Sequence, residues 1–175
     1  MGWLDELEKR FTESFGEIWY DRTQMYQARQ ALYNLICEAK KEVKILTGEL
    51  NPRCYENPEF IRISERLLAN GVNMKIIFHK SSPLEDAILK LKQENPGIIE
   101  LKQKYNKILH LYWQQRRNPK HFAVVDENAI FAEEPHASGA PREVLVKEST
   151  LFLGKKASEK FDKIVEKECK EVYLL

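Results

Sequence analysis

The first forty residues have the hydrophobic pattern of helices. From Trp3 to Lys41 there is no proline, and apolar residues recur in steps of three and four, as on one face of an α-helix. Gly16 and residues 19–23 interrupt this spacing, so two helices are predicted, with Asp21 or Thr23 as the N-cap of the second.

The predicted boundary divides the chain into two parts. Residues 1–22 carry an apolar stripe with six acidic and three basic side chains, which predicts an N-terminal amphipathic helix that packs on the domain or contacts a second subunit. Residues 23–175 are expected to form one α/β domain, since their number suits a single core.

After Lys41 short apolar runs alternate with helical patterns. Helices are predicted at 58–69, closed by Asn70-Gly71, and at 83–93. Strands are predicted at 43–48, 73–79, 98–101 and 108–113. This alternation predicts parallel strands joined by right-handed crossovers.

The C-terminal third adds a hairpin and a helix. Residues 121–126 and 129–132 flank the turn Glu127-Asn128, which favours a β-hairpin. A last strand is predicted at 144–147 and a helix at 155–171. The expected fold is therefore a mixed, largely parallel sheet flanked by helices on both faces.

Composition excludes some classes of protein. The 28 basic and 27 acidic side chains leave a net charge of +1, which excludes a protein that is basic overall. Three widely spaced cysteines without a CxxC pair fit neither a disulfide framework nor a zinc cluster. With no apolar run near the ~18 residues of a membrane span and no signal-like N-terminus, a soluble cytoplasmic protein is expected.

The charge is nevertheless uneven along the chain. Residues 98–122 carry a local charge of +5, interleaved with Tyr105, Tyr112 and Trp113. Cations that neutralise phosphates and aromatic rings that stack on bases are typical of single-stranded nucleic-acid binding. Lysines along an exposed strand edge and aromatic residues facing the core explain the same pattern.

Polar residues follow the predicted parallel strands. Glu49 comes after the first of them, and His79 and Lys80 end the second. Ligands of open α/β sheets bind beyond the carboxyl ends of the strands, so these three are candidate ligand-binding residues. His79 could instead only close its loop and cap the next helix.

Further candidates surround the predicted hairpin. They are Arg116, Arg117, Lys120, His121, Asp126, Glu133, Glu134, His136 and Arg142. The histidines suit acid–base catalysis near neutral pH, and the cations suit an anionic ligand. His121, His136 and Glu133 could also hold a divalent metal. A polar hairpin with histidines bonded to neighbouring carboxylates remains the structural alternative.

The order of elements and the hairpin resemble one half of the phospholipase D superfamily, whose motif is HxKxxxxD followed by GSxN. In this register Pro119 stands at the motif histidine, His121 at its lysine and Asp126 at its aspartate. The Gly, Ser and Asn positions are occupied by Glu133, Glu134 and His136. The resemblance thus keeps a spacing and one aspartate, but the motif histidine, which is the family's nucleophile, is a proline.

The resemblance implies a single degenerate phospholipase D-like domain. The leading hypothesis is a non-catalytic sensor or interaction module that binds a phosphate-bearing or anionic ligand, needs no cofactor and pairs as a homodimer, as single-motif members of the family do. One alternative is a phosphodiesterase or nuclease that uses His121, Glu134, His136 and Asp126, with or without a divalent metal. The other is a nucleic-acid-binding regulator.

Overall fold

The computed structural model describes residues 19–23, 25–116, 121–133, 142–147 and 151–174. The helices among them are α1 (Met25–Ile36), α2 (Pro52–Tyr55), α3 (Pro58–Ala69), α4 (Leu84–Glu94), α5 (Pro96–Lys104) and α6 (Leu151–Glu168). The strands are β1 (Trp19–Thr23), β2 (Glu42–Leu46), β3 (Asn73–His79), β4 (Leu109–Gln114), β5 (His121–Val125), β6 (Ala129–Glu133), β7 (Arg142–Lys147) and β8 (Cys169–Glu171).

These strands form one open sheet in the order β1-β7-β6-β5-β2-β3-β4-β8. The adjacent strands β2, β3 and β4 are parallel to one another. Every pairing outside them is antiparallel. The predicted mixed α/β sheet and the β5–β6 hairpin are confirmed, while parallel pairing among the described strands is confined to β2, β3 and β4.

Helices cover both faces of the sheet, as predicted. Val43 and Ile45 of β2 belong to the larger hydrophobic core, which includes residues of α1 to α5. Leu46 belongs to the smaller core, which includes residues of α6. The alternation of side chains along a strand thus assigns each residue of β2 to one of two layers.

Helix α6 is also held to the sheet by a buried lysine. Lys44 lies on the α6 face of β2, where its Nζ is 2.6 Å from Ser158 Oγ and 2.9 Å from Asp162 Oδ1. Only 5% of the Lys44 side chain is exposed, so its ammonium group depends on these partners.

Helix α3 has the predicted bounds, and residues next to each of its ends explain them. Asn57 is the N-cap, its side chain accepting a hydrogen bond from the Glu59 amide, and Pro58 is the first helical residue. At the other end Gly71 has φ +81°, the left-handed conformation that glycine adopts most easily.

One predicted strand is wrong. Residues 98–101 belong to helix α5, which begins at Pro96. The sequence Asn95-Pro96-Gly97 is typical of a chain break, but here Pro96 is the first residue of the helix, a position where proline is common because it has no amide hydrogen to leave unpaired. The buried side chains of Ile98, Ile99 and Leu101 line one side of this helix.

Two edge strands were also not predicted. Residues 19–23, expected to separate two helices or to end the first, form β1 and pair with β7. Residues 169–171, predicted as the end of the terminal helix, form β8 and pair with β4. Val172 is fully buried just after β8. The rest of the predicted N-terminal helix, residues 1–18, lies outside the described residues.

Within the described ranges no helix is long and apolar enough to cross a membrane. The three cysteines are free thiols of intermediate exposure.

Candidate functional site

A cavity of about 650 Å³ lies at the carboxyl end of β2. Apolar side chains from α1 and the sheet, including Leu32, Ile45 and Phe131, form part of its wall. Polar groups converge on the same space from the loop after β2, from the end of β3 and from the hairpin. A cavity of this size with an apolar wall and a few convergent polar groups is typical of a small-molecule site.

The hairpin contributes His121 and Glu133. His121 begins β5, Glu133 ends β6, and the two are direct partners across the antiparallel pair, so their Cβ atoms are roughly 5 Å apart. By alternation both share the face of Ala123 and Phe131, which lies under α1. Glu133 is buried and His121 is half-buried.

Gly48 leaves room for the imidazole of His121. A Cβ atom added at Gly48 would lie 3.2 Å from His121 Nε2 and 3.4 Å from Cε1. The absence of a side chain at Gly48 therefore lets the ring pack against the backbone of the loop after β2.

Lys80 supplies a cation on the β3 side of the cavity. Its side chain is 7% exposed and its Nζ lies 2.9 Å from Glu94 Oε2, at the end of α4. The indole Nε1 of Trp113 donates a 3.1 Å hydrogen bond to the Lys80 carbonyl oxygen. Lys80 therefore reaches the cavity on a well-anchored backbone and already paired with a carboxylate.

Cys54 and Tyr55 form a protonated part of the wall. Burial raises the pKa of the Cys54 thiol to about 12, and the charge of Glu133 adds to the rise. Burial also raises the pKa of the Tyr55 hydroxyl, with Glu133 again contributing. Tyr33 donates a hydrogen bond to the Cys54 carbonyl oxygen. Because the thiolate is the reactive form, Cys54 is unsuited to act as a nucleophile near neutral pH.

Two predicted site residues lie away from the cavity. His79 ends β3 and, by alternation, shares the α6 face with Ile77, where its Nδ1 is 3.2 Å from the Gln114 carbonyl oxygen. Asp126 follows β5 at the end opposite His121. Its carboxylate accepts 2.8 Å hydrogen bonds from the amides of Lys40, Lys41 and Glu42.

Asp126 therefore lies outside the cavity wall. The motif aspartate ties the hairpin turn to the start of β2, the length of a strand away from His121. His79 also lies outside the cavity wall, because its ring closes the end of β3 on the other face of the sheet.

The remaining candidates divide into described and undescribed residues. Glu49 lines the cavity at an exposed position, whereas Arg116 is exposed but does not line it. Arg142 pairs through its backbone at the start of β7. The others lie outside the described residues: Arg117, Lys120, Glu134 and His136.

A metal site is not completed within the described part of the chain. There, no three His, Cys, Asp or Glu side chains lie together in a way that could hold an ion. His121 and Glu133 could supply two ligands, and His136, the third predicted ligand, is among the undescribed residues.

The basic segment 98–122 is partly structural. Lys102 is buried, donates a 2.8 Å hydrogen bond to the Leu109 carbonyl oxygen, and has its pKa lowered by burial. Lys104 pairs with Glu65 at 2.5 Å. Trp113 is only 6% exposed. Lys102 and Trp113 are therefore part of the folded interior, whereas Lys104 is paired with Glu65 at the surface.

Several residues that line the cavity are not among the site residues predicted from the sequence. They come from α1, α2 and the end of α4, and include Arg29, Asn51, Tyr55 and Glu94. Asn51-Pro52 is a helix-start signal, with the Asn51 side chain accepting from the Arg53 amide. That signal could have placed a short helix at the end of β2, where ligands of such sheets bind.

The sheet order and the cavity at the ends of its central strands define a phospholipase D-like α/β fold. Nuc from Salmonella typhimurium, a phospholipase D family member, matches with a TM-score of 0.62 and 11% identity, over 90% of this chain and all of Nuc. Phosphatidylserine synthase from Haemophilus influenzae Rd KW20 matches at 0.59 and 14%, over 89% of this chain and 39% of the synthase.

An archaeal chromatin protein, TrmBL2, has the same fold. Its TM-score is 0.64 at 17% identity, and its structure shows a novel mode of DNA binding. The match covers 97% of this chain and 60% of TrmBL2, so the chain spans less than two thirds of the length of TrmBL2. No protein-family model matches the sequence, and no curated protein does. At such identities the likeness establishes the fold.

Proposed function

We propose that this chain is a non-catalytic small-molecule-binding module built on the phospholipase D-like fold. The observation that carries the proposal is the cavity of about 650 Å³ at the ends of the central strands, with an apolar wall and the polar groups of His121, Glu133 and Lys80 on it. This is the part of an open α/β sheet where ligands bind.

The chemistry of the site supports binding rather than turnover. Proline occupies the position of the family's nucleophilic histidine, and a proline ring nitrogen in a peptide bond can neither attack phosphorus nor transfer a proton. The cysteine of the wall has a pKa of about 12, so its thiol does not replace that nucleophile. His121 stands opposite a carboxylate, an arrangement that fixes a ring as readily as it assists catalysis.

The module is tested by mapping where small molecules bind. A library of uncharged, cationic and anionic fragments is screened against the ¹⁵N-labelled protein by NMR. We expect shifts concentrated at the amides of Gly48, Glu49, Ala123 and Glu133, and little change at His79 on the other face. Shifts scattered over the surface, or centred on His79, would contradict the proposal.

A matched pair of variants sharpens that test. In Gly48→Leu the new side chain competes with His121 for space at the cavity, since even a Cβ atom there lies 3.2 Å from the ring. Ser81→Leu places the same side chain at an exposed position outside the cavity wall. We expect fragment binding to be lost in the first variant and kept in the second, with both retaining dispersed amide spectra.

A nucleic-acid partner is the second candidate, because TrmBL2, which shares the fold, is a chromatin protein with its own mode of DNA binding. Within the described part of the basic segment, Arg116 is exposed. Retention of a single-stranded oligonucleotide that weakens with rising salt and with Arg116→Ala would favour this candidate. Pairing as a homodimer, expected from the family resemblance, stays a prediction, as does a divalent metal on His121, Glu133 and His136.

A further inference from the structure

Lys80 is a buried cation of the cavity wall, and its carboxylate partner is exposed. The Lys80 side chain is 7% exposed and that of Glu94 is 44% exposed, with 2.9 Å between Lys80 Nζ and Glu94 Oε2. A buried ammonium group depends on an anion beside it, because loss of the partner leaves a poorly hydrated charge. An exposed carboxylate is hydrated with or without a cation. Lys80 therefore requires an anion, whereas Glu94 does not require Lys80.

The position of Glu94 in its helix makes it a weak counter-ion. Glu94 is the last residue of α4, and the unpaired carbonyl groups at the C-terminal end of a helix carry a partial negative charge. That charge repels a carboxylate and attracts a cation. A second carboxylate can therefore take the place of Glu94 beside Lys80, since the ammonium group keeps an anion and Glu94 moves into water.

The backbone of Lys80, in contrast, is held firmly just after β3. Its carbonyl oxygen accepts a 3.1 Å hydrogen bond from Trp113 Nε1, and its amide donates a 3.3 Å hydrogen bond to the Gln114 carbonyl oxygen. Trp113 is 6% and Gln114 2% exposed, so both bonds lie inside the fold. The backbone of Lys80 therefore stays in place when its carboxylate partner is exchanged.

The same cavity offers space for the apolar part of a ligand. Its wall includes Leu32, Ile45 and Phe131, and the volume of about 650 Å³ suits a small molecule. Contact with these side chains removes apolar surface of a ligand from water. An amphipathic compound can thus use the cation and the apolar wall together.

The other charges of the wall favour a single negative charge on the ligand. Arg29, a second cation among the described lining residues, lies on α1 and donates to the Arg53 carbonyl oxygen at 2.8 Å. Glu49 is exposed, so water and salt screen its charge. β3 is separated from β6 by β2 and β5, which puts Lys80 about 14 Å from the strand of Glu133. Displacement of the counter-ion thus releases one cation, which matches a carboxylate better than the double charge of a phosphate.

We propose that Lys80 binds the carboxylate group of a small molecule whose apolar part lies against Leu32, Ile45 and Phe131, and that this carboxylate displaces Glu94. The inference rests on the proposed function, since it names the class of compound that the module binds. It narrows the anionic ligand expected from the sequence to a carboxylate.

The deciding experiment is an NMR titration with 4-phenylbutyrate and with 4-phenylbutyramide, in which an uncharged amide replaces the carboxylate. In Glu94→Gln the side chain keeps its shape and loses the charge that competes for Lys80. We expect this variant to bind 4-phenylbutyrate at the cavity amides, such as Gly48 and Lys80, at least about tenfold more tightly than the wild type. Its affinity for 4-phenylbutyramide should change less than about twofold.

Two further variants complete the experiment. Glu100→Gln removes an exposed carboxylate of α5 outside the cavity wall, so affinity for 4-phenylbutyrate should change less than about twofold. Lys80→Met removes the ammonium group and keeps an unbranched apolar side chain. This variant should bind 4-phenylbutyrate no more tightly than 4-phenylbutyramide.

Several results would overturn the proposal. One is binding of 4-phenylbutyrate that is equal or weaker in Glu94→Gln than in the wild type, and another is a preference for the carboxylate that survives in Lys80→Met. Tighter binding of inorganic phosphate than of 4-phenylbutyrate by Glu94→Gln would assign the ammonium group to phosphate instead. If both probes bind every variant equally at the cavity amides, the binding module stands and this specificity fails. If neither the probes nor any fragment shift those amides, the proposed function fails as well, so the two failures are distinguishable.

Discussion

Replacing Gly154 by alanine is expected to lower the free energy of unfolding by about 3 kcal/mol. Gly154 lies near the start of α6, where a Cβ atom would stand 2.0 Å from the carbonyl oxygen of Glu127 and 2.4 Å from its carbonyl carbon. Both atoms belong to the backbone of the β5–β6 turn and cannot move aside as the end of a flexible side chain would. The helix and the turn must separate for the methyl group to fit.

The sign of this effect makes the test decisive. In an unobstructed helix, glycine to alanine stabilises by about 1 kcal/mol because alanine has the higher helix propensity. Urea unfolding at 25 °C measures the difference, with Lys155→Ala as the control at the next, exposed position of the same helix, where a change within about 0.5 kcal/mol is expected. A stabilised Gly154→Ala protein would show that α6 does not contact the turn this closely.

Replacing Asp126 by alanine is expected to cost about 3 kcal/mol of stability. The variant loses three 2.8 Å hydrogen bonds from the amides of Lys40, Lys41 and Glu42. It also places alanine at φ +53°, a conformation that aspartate and asparagine tolerate better than other residues with a side chain.

Asp126→Asn is the matched control. It keeps that tolerance and one acceptor oxygen, so it should lose about half as much stability in the same urea measurement. Fragment binding at the cavity should survive in both variants. A folded Asp126→Ala protein with unchanged stability and no cavity binding would return Asp126 to the functional site.

The parts of the fold that are determined by residues close together in the sequence could be predicted from it. The turn signal Glu127-Asn128 predicts the hairpin but not its register: a two-residue turn would pair His121 with Glu134, whereas the observed turn also includes Asp126 and pairs His121 with Glu133. The caps of α3 are equally local. The edge strands β1 and β8 could not be found in this way, because each is stabilised by a partner strand distant in sequence.

The candidate site was predicted in part for the same reason. Glu49 and Lys80 are predicted from their position after parallel strands, and His121 and Glu133 from the histidines, carboxylates and cations that surround the hairpin. The part of the cavity wall that comes from α1, α2 and α4 is formed by tertiary packing, which the pattern of neighbouring residues in the sequence does not predict. The distribution of charge along the sequence predicted the surface least well. Lys102 lies in the basic segment 98–122, but its ammonium group donates to backbone carbonyl oxygens inside the fold.

The central claim is that the cavity of this phospholipase D-like fold binds a small molecule and does not hydrolyse phosphodiesters. A phosphodiesterase assay tests this claim most directly. Bis(p-nitrophenyl) phosphate is incubated with the wild-type protein and with His121→Ala, each with added Mg²⁺ and Mn²⁺ and again with EDTA. The account predicts the same background release of p-nitrophenol in all four mixtures. Release by the wild-type protein that disappears in His121→Ala, or on addition of EDTA, would contradict it.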